Sequence, residues 1–313
     1  LLLLRKIKMT NTKIKFICVM DYRTCEVRFY NVEVDAKDFD SFDAESWLNE
    51  NTPYNSDCYY MVCDKAMKVS HENVKVEPTE DKTERISNDV KEFASDPNYV
   101  ITCHGPYYIN LNSEEDEKIE ASVQRILETA RMGQLIGAYS ITFHAAFYMK
   151  KDADTVYNTV YKSMARISSI LEQENNNIWV RPETTGKGTQ WGTLEEIVKL
   201  SKEFKNVLPC VDFAHIHARN NGIYNTYDEF SKMFEFMGNE LGQEIFDNFH
   251  AHIAGIEYSV KGEKNHLILE ESDMNYKDLL KAFKAFNVKG VVVCESPNIE
   301  GDTKLLKEYY RSL

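Results

Sequence analysis

The chain has 313 residues, 43% of them hydrophobic, and a formal net charge of −13. That is enough apolar material for a sizeable core, either one large α/β barrel or two ordinary domains. The acidic balance argues against a general nucleic-acid binder, which needs a local excess of Lys and Arg, although the field that matters is the one inside a cleft. No window approaches the ~18 apolar residues of a membrane span.

The opening Leu-Leu-Leu-Leu-Arg-Lys places its apolar part before its basic part, the reverse of a signal peptide, and reads as a ragged start with Met9 a candidate initiator. Seven cysteines are scattered through the chain, and Cys103, Cys210 and Cys294 lie inside apolar runs. That pattern suits small buried residues in a reducing cytoplasm rather than a disulfide framework.

Residues 1–98 are the least regular part. Ile14–Met20 and Cys25–Val34 have strand character, Asp57–Asp64 is a further strand candidate, and Glu80–Ser95 has helical spacing. This region is expected to hold the first two βα units. From residue 99 the pattern is regular, and residues 99–313 carry the remaining units of what is expected to be one domain. Tyr99–Cys103 ends at His104 and precedes a helix over Ser113–Met132. Tyr139–Phe143 ends at His144 and precedes a helix over Asp152–Glu172. Asn177–Val180 leads through Arg181 and Pro182 to Glu183 and a glycine-rich loop. Thr193 with Glu196, and Thr226 with Glu229, have capping-box spacing. Asn206–His215 carries Asp212 and His215, Asn248–Ile256 carries His250 and His252, and Val288–Cys294 ends at Glu295.

Six strand–helix units therefore recur, and each strand ends in His, Asp or Glu. In a closed parallel barrel all strand C-termini converge on one mouth. With two more units in the first 98 residues, the pattern predicts an α/β (β/α)8 TIM barrel with a metal site at the C-terminal mouth of the strands. An open doubly wound sheet is the competing architecture, but it would not bring six strand ends to one point.

The candidate ligands are His104, His144, Glu183, Asp212, His215, His252, His266 and Glu295. A lone histidine is more often a hydrogen-bonded core residue, but a ligand type at six successive strand ends is not chance placement. So many imidazoles and carboxylates exceed the four ligands of one zinc. They suit two or three cations, the usual machinery of phosphate-ester hydrolysis. Lys150, Lys151, Lys187, Arg219, Lys261 and Lys264 follow these strands and form a modest basic rim, read either as a polyanion-binding edge or as solvated surface.

These motifs resemble the endonuclease IV family of apurinic/apyrimidinic endonucleases. The resemblance covers residues from about 99 to the C-terminus and rests on His104-Gly-Pro-Tyr-Tyr-Ile-Asn-Leu, Phe143-His144, Glu183-Thr-Thr-Gly-Lys-Gly-Thr-Gln-Trp-Gly, Asp212-Phe-Ala-His215, His252-Ile-Ala-Gly, His266-Leu and Cys294-Glu295-Ser-Pro. The wording near His252 is most similar to archaeal members. The resemblance implies a TIM barrel with two to three Zn2+ per chain, Mn2+ or Fe2+ being substitutes. His104, His144 and Glu183 would hold the first metal. Glu183 would bridge to a second on Asp212, His252 and Glu295. His215 and His266 would hold a third with a carboxylate. There the family reads Asp-x-His, whereas this chain reads Glu263-Lys-Asn-His266, which makes Glu263 the candidate carboxylate one residue out of place. Tyr107, Asn110, Lys187 and Arg219 would contact DNA, and Glu183 would be the central catalytic ligand.

The function so implied is hydrolysis of the DNA backbone 5′ to an abasic site, by a monomer acting on double-stranded DNA in the cytoplasm and in base excision repair, with no membrane partner. The competing readings are a metal-dependent sugar isomerase or epimerase on a similar barrel, and a non-catalytic relative that binds damaged DNA.

Overall fold

A computed structural model describes residues 100–313 throughout, together with Val90, Lys91, Ser95 and three strands nearer the N-terminus. The chain divides into two compact units, residues 1–78 and 79–313. The expected helix over Glu80–Ser95 lies largely outside the described residues.

The first unit contains β1 (Thr12–Asp21), β2 (Glu26–Asp35) and β3 (Tyr59–Cys63), arranged β2-β1-β3 with both pairs antiparallel. All three coincide with strand candidates of the sequence. Their antiparallel pairing means that β1 and β2 are not successive βα units, while residues 64–99, where such units were also expected, lie largely outside the described residues. The register runs unbroken from Asp21↔Glu26 to Thr12↔Asp35, and the four residues between the strands are too few for the crossover that parallel pairing requires. The division also falls at residue 78, whereas one domain parted at 98 was expected.

The second unit alternates strands and helices. Its elements are β4 (Thr102–His104), α1 (Asp116–Leu135), β5 (Ser140–Phe143), β6 (Ala146–Phe147), α2 (Ala153–Gln173), β7 (Trp179–Pro182), β8 (Gln190–Trp191), α3 (Leu194–Ser201), β9 (Val211–Asp212), α4 (Phe213–Arg219), α5 (Tyr227–Leu241), α6 (Glu244–Asp247), β10 (Phe249–Ile253), β11 (Gly255–Ser259), β12 (Gly262–Leu267), α7 (Tyr276–Ala285), β13 (Gly290–Cys294) and α8 (Glu300–Ser312). β4-β5-β7 and β9-β10-β13 are parallel ladders. Parallel bridges Val180–Val207 and Glu183–Cys210 join the two. Six described strands thus run side by side with their C-termini at one end, the wall of a TIM barrel.

Local sequence accounts for the element ends. The Asp152 side chain accepts the Thr155 amide and starts α2, and both expected capping boxes, Thr193–Glu196 and Thr226–Glu229, are formed. Strand β9 is only two residues long, and the two bridges that precede it stay isolated because Pro182, between their partners Val180 and Glu183, has no N–H to donate to the ladder.

Two apolar clusters pack the sheet. One buries Ile126, Ile141, Val160, Met164 and Trp191, with α1 and α2 contributing. In the other, Phe213, Phe230, Phe234, Phe249 and Phe283 form a cluster of edge-on and tilted ring contacts, with Phe234 touching Phe213, Phe249 and Phe283 at centroid distances of 5.5–6.0 Å. Burying a ring of this size is worth roughly 3–5 kcal/mol against alanine. Arg181 is fully buried and spans the interior. It donates to the Pro209 carbonyl at 3.1 Å and to Asn248 at 2.7 and 2.9 Å, and it lies 5.5 Å from the rings of Tyr139 and Trp179. Burial pushes this guanidinium down to about 10. Among the described residues no helix is long and apolar enough to cross a membrane.

Candidate metal centre

Residues two apart in a strand share a face. His250 and His252 on β10, and Arg181 and Glu183 at the end of β7, therefore point the same way, into the barrel. The C-terminal ends of the six strands, with the start of α4 and the β11–β12 hairpin, bring together the residues singled out as ligands.

Three donor groups result, each with its ligand atoms within 4.8 Å of one another: His104, His144 and Glu183; Glu183, Asp212, His252 and Glu295; and Asp212, His215 and His266. Glu183 belongs to two of them and Asp212 to two. The Glu183 carboxylate is the hub. Oε2 lies 3.0 Å from His104 Nε2, and Oε1 lies 3.1 Å from His252 Nδ1, 3.3 Å from His215 Nδ1 and 3.5 Å from His144 Nε2. Burial alone would raise this carboxyl, but His252, His144 and His104 together outweigh it and hold it well below the usual carboxylate range.

The Asp-x-x-His spacing has a local cause. Asp212 is the N-cap of α4, and its Oδ1 accepts the His215 amide at 2.7 Å. The cap fixes Asp212 and seats His215 one turn in, so His215 stands on a helix rather than at a strand end. Thr184 secures both: its hydroxyl accepts the Asp212 amide at 2.8 Å, and its carbonyl lies 2.9 Å from His215 Nδ1. Thr184 carries no metal-ligand signature and was not singled out by the sequence. Partners of this kind fix the orientation of a metal-binding imidazole. Likewise the Gly105 carbonyl, 2.7 Å from His104 Nδ1, leaves Nε2 to face Glu183.

The other oxygen of Asp212, Oδ2, is buried with no hydrogen-bond partner, although two histidine nitrogens lie 3.3 and 4.0 Å away. Burial pushes the Asp212 carboxyl up to about 6. Burial would lower His215, but Asp212, Glu183 and Glu263 push it up to about 10, and His252 is raised well above the ordinary histidine range. Protons thus bind tightly among these oxygens and nitrogens. An orphaned carboxylate oxygen inside a ring of imidazoles is the donor chemistry of a divalent cation, and the residues fit such ions.

Glu263 reaches this site through a bulge. Along the β11–β12 hairpin Glu257 pairs with Asn265 and Tyr258 with Glu263, so Lys264 is the extra residue. The bulge turns Glu263 and His266 to the same face, which a plain strand would deny to residues three apart. Glu263 Oε2 then lies 3.6 Å from His215 Nε2. The loop beneath closes on Gly262 (φ +95°), where a Cβ would run into the Gly186 carbonyl.

The residues expected to touch DNA separate into two kinds. Tyr107 is 72% exposed, with its ring 5.6 Å from that of His104 and 6.4 Å from that of His144. Lys187 is exposed on the glycine-rich loop. Asn110 and Arg219 instead work inside the fold. Asn110 Oδ1 accepts the amides of Asn112 and Phe147. Arg219 donates to the Thr185 hydroxyl and the carbonyls of Lys187 and Gln190 at 2.6–2.9 Å, so it clamps the glycine-rich loop. Of the basic rim, Lys151 is engaged with Asn112 and Lys264 with Glu257.

A sequence model of the xylose isomerase-like TIM barrel family matches residues 65–313. An uncharacterized protein of Methanocaldococcus jannaschii is 44% identical over 224 residues, 72% of this chain and 81% of that one. A probable endonuclease 4 of Thermoplasma volcanium is 26% identical over 163 residues, 48% of this chain and 55% of its own length. Among solved structures, endonuclease IV from Thermus thermophilus superposes with a TM-score of 0.56 at 15% identity, covering 76% of this chain and 84% of that one. A D-tagatose 3-epimerase-like protein superposes with a TM-score of 0.58 at 17% identity, covering 72% and 83%. At these identities the superpositions establish the fold alone.

Proposed function

The chain belongs to the xylose isomerase-like TIM barrel family, and on that footing we propose that it is a metal-dependent phosphodiesterase that cuts DNA on the 5′ side of an abasic site. The observation that carries this reading is the fusion of three donor groups at one mouth through two shared carboxylates, Glu183 and Asp212. Sequence likeness to probable endonuclease 4 proteins supports it.

Divalent cations bound there would supply an activated water and neutralise charge on the attacked phosphate and the leaving oxygen. His104, His144 and Glu183 would hold one, Glu183, Asp212, His252 and Glu295 a second, and Asp212, His215 and His266 with Glu263 a third. Zinc fits this nitrogen–oxygen set, with Mn2+ or Fe2+ as substitutes. The chain's own residues do the rest. Thr184 and Gly105 hold imidazoles in one orientation. Tyr107 offers an exposed ring beside the mouth for a displaced nucleotide, whose extrusion is least costly where no base is paired. Lys187 faces the backbone phosphates, while Arg219 keeps its loop in place. The chain acts as a monomer on double-stranded DNA.

A metal-dependent sugar epimerase is the second reading, suggested by the fold neighbour of that type. Its chemistry needs one or two cations and a proton-transferring base, and the surplus of ligand histidines counts against it. Incision of a duplex with a single abasic analogue tests the proposal. A cut leaving a 3′-hydroxyl, abolished by chelator and restored by zinc, is expected. No incision by protein carrying three metals per chain would overturn it.

A further inference from the structure

The inward-facing layer of a TIM barrel is ordinarily filled by branched aliphatic side chains. Here, below the mouth, it contains Cys210, fully buried at the bridge between β7 and β9, and His250 on β10, also fully buried. One ligand atom each of Cys210, His250 and His252 lie within 4.8 Å of one another. The rings of His250 and His252 meet edge-on at 5.1 Å.

His250 is not a satisfied core histidine. Its Nδ1 is paired with the Ser140 hydroxyl at 2.9 Å, but its Nε2 is buried with no partner. A buried imidazole nitrogen in a well-packed interior nearly always has one, so an orphan there calls for a ligand the protein atoms do not supply.

We propose that Cys210, His250 and His252 form a separate binding site for a thiophilic d10 cation of the Zn2+ or Cd2+ type. One sulfur and two imidazole nitrogens form a softer set than the oxygen-rich groups at the mouth. The bond balance is simple. The Cys210 S–H proton and the proton held by His252 leave to solvent as the metal bonds form, both imidazoles then donate lone pairs, and nothing is oxidised or reduced. His252 belongs to both sets: its Nδ1 faces Glu183 and Glu295 at 3.1 and 3.2 Å. The interior site therefore abuts the mouth through a single imidazole.

The test uses the full-length chain stripped of metal and then titrated with Cd2+ or Co2+. Every ligand proposed at the mouth is nitrogen or oxygen, so a sulfur-to-metal charge-transfer absorption reports the interior site. It is expected in the unmodified chain, absent from Cys210→Ser, and reached only at about 10-fold higher metal in His250→Gln. X-ray absorption of the Zn2+-loaded unmodified chain should show a sulfur neighbour at about 2.3 Å, a measurement that does not depend on how either variant folds. A fully loaded chain without sulfur in its metal shell would overturn the proposal. So would a charge-transfer band that survives Cys210→Ser, which would place the metal on another cysteine. DNA cleavage is not read, so failure here and failure of the nuclease reading are distinguishable.

Discussion

Glu263 Oε2 lies 3.6 Å from His215 Nε2, although Glu263 is one residue further from His266 than the motif it resembles allows. The bulge at Lys264 absorbs the surplus residue. Deleting Lys264 alone should therefore leave Glu263 and His266 on one face of a regular strand, with metal content per chain unchanged. Deleting Lys264 and Asn265 together should turn them to opposite faces and cost one metal. Equal metal content in the two deletions would show that Glu263 is not a ligand.

Glu183→Gln removes the carboxylate shared by two donor groups. The amide cannot balance the imidazoles around it, so the chain should lose at least one metal and incision should fall more than about 100-fold. Elemental analysis alongside the cleavage assay checks both. Full incision at normal metal content would remove Glu183 from the mechanism.

Metal uptake should release protons. His215, pushed up to about 10, and the raised His252 hold protons at neutral pH that a cation must displace. The sign follows: affinity rises as pH rises towards the folded value of His215 and falls as pH drops, with Asp212, pushed up to about 6, adding protons at the acid end. Calorimetric titration in buffers of different ionisation enthalpy measures the count. Binding that is independent of pH between about 6 and 9 would contradict the arrangement.

Lys187 stands on the glycine-rich loop and Arg219 reaches that loop from α4, and the two should fail differently. Lys187→Ala should leave thermal stability unchanged and lower the salt slope of DNA binding by about 1. Arg219→Ala unmakes three hydrogen bonds to the loop and should cost roughly 1–3 kcal/mol of stability, measured by denaturant unfolding. A purely electrostatic phenotype for Arg219→Ala would restore it to the DNA surface.

Away from the mouth, Phe234→Ala should cost about 3–5 kcal/mol, because its ring is the common contact of the aromatic layer. Thr193→Ala should cost about 1 kcal/mol through the lost capping box. Neither should change metal stoichiometry.

What was legible in the sequence was what periodicity and capping record. The strands ending at His104, His144, Glu183, His252 and Glu295, the helices behind them and both capping boxes have local signatures. The Asp212–His215 spacing was visible as a motif, but the helix cap that produces it was not, because an apolar strand followed by Asp reads alike whether or not a helix begins there. The β11–β12 hairpin was missed, since its polar residues lack alternation, and with it the bulge that rescues Glu263. Asn110 and Arg219 have the residue types of DNA contacts, and nothing local distinguishes a guanidinium turned outward from one turned onto carbonyls. The antiparallel pairing of β1 and β2 was implied by the four residues between them, which cannot span a crossover. Thr184, Asn112 and His250 act only through partners far along the chain, beyond the reach of any local pattern.

Asp212 divides its two oxygens: Oδ1 ties down the first turn of α4, and Oδ2 is left bare toward the mouth. A chelating group held this way loses its rotational freedom during folding, before any cation arrives. The entropy of ordering the ligand is then settled by the helix rather than charged against the metal. Such a trap should capture ions quickly, and its exchange should be governed by release alone. Asp212→Asn, which keeps an oxygen for the cap, would separate the ready-made posture of the site from its charge.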